Sequence, residues 1–183
     1  MRSEHIRAFA ARSERLLGLV PALCALGVGA TTLLAAEVTL AGESGSYEQV
    51  VSLLTNYTKS ERGAETVIGG SSSGTVTTTR SSGGLFVEGS NGTFDCIIFA
   101  KKTSAGMDLE APCTSTDASG DKQLSVARRR QGDVSAGGGG EGRSELVGGT
   151  GKYQGITGSC TYKVDYLPGN RLVSISKCQW QKP

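Results

Sequence analysis

From Gly63 onward the chain alternates short β-prone runs with clusters of glycine and serine. The runs are 65–68, 75–80, 85–88, 93–102, 107–116, 122–130, 143–147, 153–166 and 172–180. Many short strands at regular spacing, separated by turn signals, predict an all-β sandwich or barrel. The segment before them carries a different period. Ser46-Tyr47-Glu48-Gln49 has the form of a capping box, and Val50, Leu53, Leu54 and Tyr57 recur at helical spacing. That pattern predicts a short amphipathic helix over 47–58, although Val50-Val51 also suits a strand. Asp117-Ala118-Ser119-Gly120 predicts a tight turn, and the glycine-rich 132–142 a flexible loop. That loop lacks the Lys-Ser/Thr ending of a phosphate-cradling P-loop.

The cysteines refine this picture into a register. Cys96 and Cys113 are equidistant from the centre of Thr103-Ser104-Ala105-Gly106, and Cys160 and Cys178 from Gly169. Residues equidistant from a hairpin turn face each other across the ribbon, at Cβ separations near those a disulfide needs. The same register sets Tyr162 opposite Ser176, Val164 opposite Ser174 and Tyr166 opposite Leu172, on one face with Trp180. In the earlier hairpin it sets Ile98 opposite Ala111 and Ala100 opposite Leu109. A one-residue slip would put each cysteine pair on opposite faces. The expected bridges are therefore Cys96–Cys113 and Cys160–Cys178.

The first residues have the layout of a secretory signal. Arg2, Arg7, Arg12 and Arg15 precede an apolar run from Leu16 to Leu34, and Ala35-Ala36 follow. Cleavage is expected after Ala36, with Ala30 and Ala41 as alternatives; an uncleaved anchor is the competing reading, because the run is nearly long enough to span a bilayer. Cys24 follows the bulky Leu23 and so does not make a lipoprotein site. The expected organisation is a signal peptide over 1–36, a lead-in and short helix over 37–62, and a barrel domain over 63–183. Periplasmic or secreted localisation follows, with no membrane span left after cleavage.

Removing 36 of the 183 residues leaves 147, enough for one domain. Of 19 basic and 17 acidic side chains, the signal carries four and two, so 15 of each remain. A zero balance predicts no nucleic-acid partner, since such a footprint needs clustered basic excess. Arg128-Arg129-Arg130 alternates faces on a strand and reads as a solvated strand end. Glycine is abundant, with 27 residues, and aromatics make up only 5% of the chain, so the core is thin and covalent staples matter.

Beyond the signal the chain has no histidine, which excludes Ser-His and Cys-His dyads and the usual histidine-bearing zinc sites. No cofactor motif is present, and no metal site is expected. Asp117 and Asp121 flank a turn and read as turn residues rather than a calcium cage. Asp95, Asp108 and Glu110 are the hairpin carboxylates, expected on a solvated face. Tyr153, Tyr162, Tyr166 and Trp180 either fill the core or line a ligand cavity, and they are the candidate ligand-binding residues.

The stretch Gly148-Gly149-Thr150-Gly151-Lys152-Tyr153-Gln154-Gly155-Ile156-Thr157-Gly158 resembles a segment of small exported bacterial proteins related in pattern to the allene oxide cyclase and dirigent barrels. The hairpin at Thr116-Asp117-Ala118-Ser119-Gly120-Asp121 is similar to part of the same pattern. The resemblance implies an eight-stranded antiparallel barrel with an apolar interior able to hold a ligand. Cyclases of this group act on an oxylipin epoxide with a carboxylate and bound water, and dirigent proteins steer phenolic radical coupling. No catalytic residue is carried over, because only the glycine-rich corner matches. The leading expectation is a non-enzymatic, disulfide-stabilised exported barrel that binds a small apolar ligand or a partner. The alternatives are a cyclase- or isomerase-like enzyme acting on a lipid-like substrate, and a structural cell-envelope protein. Oligomeric state is not readable from the chain.

Overall fold

A computed structural model describes residues 42–130, 132–133 and 139–183. The proposed signal peptide and residues 37–41 lie outside the described residues. Eight antiparallel strands follow in chain order: β1 (Glu43–Arg62), β2 (Glu65–Ser81), β3 (Asn91–Thr103), β4 (Gly106–Asp117), β5 (Lys122–Arg129), β6 (Gly140–Gly149), β7 (Thr157–Leu167) and β8 (Arg171–Lys182). Each pairs with the next, and β8 pairs with β1, closing the barrel. Closure leaves no unpaired strand edge. Among the described residues no helix is long and apolar enough to cross a membrane, and the only helical element is one 3-10 turn, Gly151–Tyr153.

The size of the interior follows from the stagger. From Glu48, the paired positions run through Lys177, Thr161, Arg143, Arg128, Glu110, Phe99 and Gly69 back to Thr58. The circuit returns ten residues further along β1. Eight strands with a stagger of this order enclose a space that side chains can fill or that one small ligand can share with them.

Residues 47–58 are strand, not helix: they lie in the middle of β1. Tyr47, Gln49, Val51, Leu53 and Thr55 point inward and are buried, whereas Leu54 is exposed. A period of two has won over the helical spacing, because pairing with β2 on one side and β8 on the other satisfies the backbone along most of its length. The barrel therefore begins at Glu43, well before residue 63. Two further expectations change. Residues 65–80 form part of one continuous strand, and 85–88 belong to the β2–β3 connection.

Both disulfides form as the hairpin symmetry requires, each with a Cα–Cα separation of 4.1 Å. The β7–β8 register matches the expected pairs residue by residue, and in the β3–β4 hairpin Ala100 faces Leu109.

Large inward aromatics sit opposite glycine. Tyr57 pairs with Gly70, Phe94 with Gly74, Tyr162 with Gly142, and Trp180 with Gly45 on one side and Gly158 on the other. A Cβ at Gly142 would collide with the Tyr162 ring, so the glycine is what lets the ring lie flat along the wall. Small positions thus accommodate large ones in a confined barrel.

Candidate functional site

One end of the interior is plugged. The β2–β3 connection sends Phe86 inward, where it stacks on Tyr47 with ring centroids 3.6 Å apart and planes 13° apart. Tyr153 and Trp180 pack around it at 5.6 and 5.9 Å. Ile156, Leu146 and the Cys160–Cys178 bridge complete the cluster. The glycine-rich 148–158 corner delivers two of these groups. Gly151 takes φ +53°, and a side chain there would collide with the Asp121 carboxylate, so the chain can reverse into the 3-10 turn that inserts Tyr153.

The corner is fastened to the β4–β5 turn by charge. Asp117 Oδ1 accepts from the Ser119 amide (2.8 Å) and hydroxyl (2.6 Å) and from the Asp121 amide (3.1 Å), and Oδ2 lies 2.6 Å from Lys152 Nζ. Burial alone would raise the Asp117 carboxyl. The Lys152 ammonium and the Ser119 donors together outweigh it and hold the carboxyl well below the usual carboxylate range. Asp117 is both turn residue and tie.

Beyond the plug the interior is not filled. A cavity of about 100 Å³, counted as space open to the centre of a water molecule, runs through the rest of the barrel. Its wall is largely apolar: Val51, Leu53, Ile98, Leu109, Ala111 and Val164, with the Cys96–Cys113 bridge beside them. Against the plug it has a polar floor. Gln49 on β1 pairs with Ser176 on β8, each one inward step from a plug residue, Tyr47 and Cys178. Gln123 Nε2 donates to Tyr47 Oη at 2.9 Å, and Ser125 is the next inward residue on β5.

The far end is ringed by tyrosines and one arginine. Burial, reinforced by the neighbouring Tyr166, pushes the Tyr57 phenol up to about 12. Burial raises Tyr162 as well, against an opposing pull from Arg129. These phenols stay protonated at neutral pH, so they offer hydrogen bonds without charge. Arg129 is 2% exposed and lines the cavity. Its Nε donates to the Glu141 carbonyl, and its Nη2 to those of Asp133 (3.1 Å) and Gly139 (2.8 Å).

The sequence-predicted residues divide between the two ends. Tyr162 and Tyr166 line the cavity, whereas Tyr153 and Trp180 stand in the plug. Asp95, Asp108 and Glu110 do not line it, and among the described residues no carboxylate does. The reading of 128–130 as a solvated strand end holds only in part. Arg128 points out to Glu110 and Glu145, but Arg129 is buried inside. The floor residues Gln49 and Gln123 carried no signal in the chain. Arg129 did: it continues the inward period of Gln123, Ser125 and Ala127.

Fold and site together define a closed, disulfide-bonded antiparallel β-barrel with one plugged end and an internal cavity. Comparison with protein-family models, curated proteins and solved structures found no match for this chain.

Proposed function

We propose that this is an exported binding barrel that holds a small, mainly apolar molecule in its cavity, with Tyr162 and Tyr166 among the contact residues. The observation that carries this is the contrast inside one barrel: aromatics pack one end solidly, while the space beyond them keeps a cavity of about 100 Å³ with a largely apolar wall. Pockets for small molecules have this composition, apolar walls with a few placed polar groups. The likeness of 148–158 to the cyclase and dirigent segment supports a lipid-like or phenolic guest. It lends little to an acid–base mechanism, because the described cavity wall offers no carboxylate to run one. Export is supported by the basic, then apolar, then small-residue layout of 1–36 and by two bridges of the kind oxidising compartments keep.

The test is binding of N-phenyl-1-naphthylamine, a neutral dye that brightens in apolar surroundings. The protein is expected to enhance its emission saturably, and Ala111→Trp, which fills the cavity from its wall, to abolish the effect. No enhancement with the folded parent protein, or full enhancement with the filled variant, would overturn the reading.

A further inference from the structure

Apart from the tyrosines and Arg129, the cavity wall carries Ser72, Ser144 and Ser174 among its apolar residues, and the amides are confined to the floor. Gln49, Ser125 and Ser176 are 8, 8 and 6% exposed, and all three line the cavity. Among the described residues, none of their side chains has a hydrogen-bond partner in the protein. Gln123 is tied through its amide nitrogen to Tyr47, which leaves its carbonyl oxygen for another donor. Buried polar groups ordinarily find partners, and these four residues, from β1 and β8 on one side and β5 on the other, turn amides and hydroxyls to the cavity beside the plug. Placing them there rather than more leucine and valine works against packing, so the arrangement calls for a polar occupant.

The floor also discriminates by charge. Hydroxyls and amides both donate and accept, so they match a head that does both. No carboxylate lines the cavity among the described residues. The guanidinium in the wall, that of Arg129, lies three inward steps up β5 from Gln123 and is held on carbonyls of Asp133 and Gly139 in the β5–β6 connection and of Glu141 at the start of β6. An ionised head at the floor would lose its water without gaining a countercharge.

Resting on the reading of the cavity as a binding site, we infer that the ligand enters head-first and that its head is neutral and both donates and accepts hydrogen bonds: an alcohol or carboxamide borne on an apolar chain or ring. The apolar body lies along Leu53, Val164, Ile98 and Leu109, and the tail points toward Tyr57 and Tyr166.

Three probes with one tail and different heads test this: octan-1-ol, octanoate and octylammonium, titrated calorimetrically at pH 7. Octan-1-ol is expected to bind at least tenfold more tightly than either ion. Gln49→Leu, which keeps bulk and removes the amide, is expected to weaken octan-1-ol about tenfold, the effect of one lost hydrogen bond on a buried head. Ser176→Ala repeats the test with a smaller change, should Gln49→Leu fail to fold. Equal or tighter binding of either ion overturns the head assignment, as does unchanged octan-1-ol affinity in both variants. Dye binding without this selectivity overturns the head assignment alone. Absence of both dye and octan-1-ol binding overturns the cavity reading and this inference with it.

Discussion

At the plugged end, inward positions are held by Tyr47, Tyr153 and Trp180, and a connection supplies Phe86 to the space between them. Further along the same two strands the inward positions are Val51 and Leu53 on β1 and Ser174 and Leu172 on β8, and Ser72, Ala111 and Ala127 line the cavity from β2, β4 and β5. Along the strands the backbone is alike and side-chain volume differs; at the plug a connection adds Phe86 and the 3-10 turn adds Tyr153. The barrel can therefore place its stability at one end and its vacancy at the other. Nothing bulky from a connection is needed where a guest is to sit, and nothing is left open where the hairpins must be locked.

The sharpest way to break this comparison is to exchange the volumes. Trp180→Ala opens a void in the plug and is expected to destabilise the barrel by about 3–5 kcal/mol in guanidinium unfolding followed by circular dichroism. Ala111→Leu adds volume where space exists and is expected to be neutral or stabilising by about 1 kcal/mol while weakening dye binding. If both substitutions destabilise comparably, the two ends are packed alike and the comparison fails. Trp180→Phe sharpens it further. The indole nitrogen is buried without a hydrogen-bond partner, so its removal gives up volume but no bond. A loss of about 1–2 kcal/mol is expected.

The two disulfides offer a second, smaller contrast. They span 17 and 18 residues, so the chain-entropy benefit is nearly the same for both, about 3 kcal/mol. Their surroundings differ: Cys160–Cys178 packs in the plug, and Cys96–Cys113 forms cavity wall. Replacing both cysteines of a pair by alanine should therefore cost more at the plug, by on the order of 1 kcal/mol. Equal losses would mean that the bridges act through the unfolded chain alone.

What the chain disclosed in advance follows the same division. Hairpin registers were readable because turn and cysteine symmetry depend only on counting, and β7–β8 paired as counted. Strand β1 misled because its inward face is not uniformly apolar. Gln49 and Thr55 flank Val51 and Leu53, which leaves the apolar run of period two only two residues long, while Val50 and Leu54 on the outer face complete a false helical period. Strand β2 was split by its Gly69–Gly74 run. A Cβ at Gly70 or Gly74 would collide with the β1 backbone at Asn56 or Ser52, and at Gly70 it would also press on the Tyr57 ring, a long-range cause that no local window contains. The plug was half visible: Tyr153 and Trp180 stood out as aromatics, but whether they line a cavity or close it depends on Phe86, which arrives from a connection that reads as strand. The polar floor gave no sign, because isolated glutamines and serines on strands look like solvent-facing residues until closure turns them inward.

The smallest expected effect concerns the tie that keeps the plug's corner in place. Asp117 is held below its ordinary range in the folded barrel by Lys152 and Ser119, which outweigh its burial. A carboxyl depressed on folding contributes stability that is fully present above its unfolded value, near 3.9, and is lost as pH falls toward the lower folded value. Asp117→Asn retains the shape and a capping oxygen but not the charge. It should cost about 1 kcal/mol at pH 7, the size of an ion pair this close to solvent together with its charged cap. The gap between parent and variant should then narrow steadily below pH 4, because other carboxylates titrate in both proteins and cancel. Urea unfolding at pH 7, 5, 4 and 3 measures it directly. A gap that stays constant over that range would assign the contribution of Asp117 to turn geometry alone, and the plug would owe nothing to the charge between β4–β5 and the glycine-rich corner.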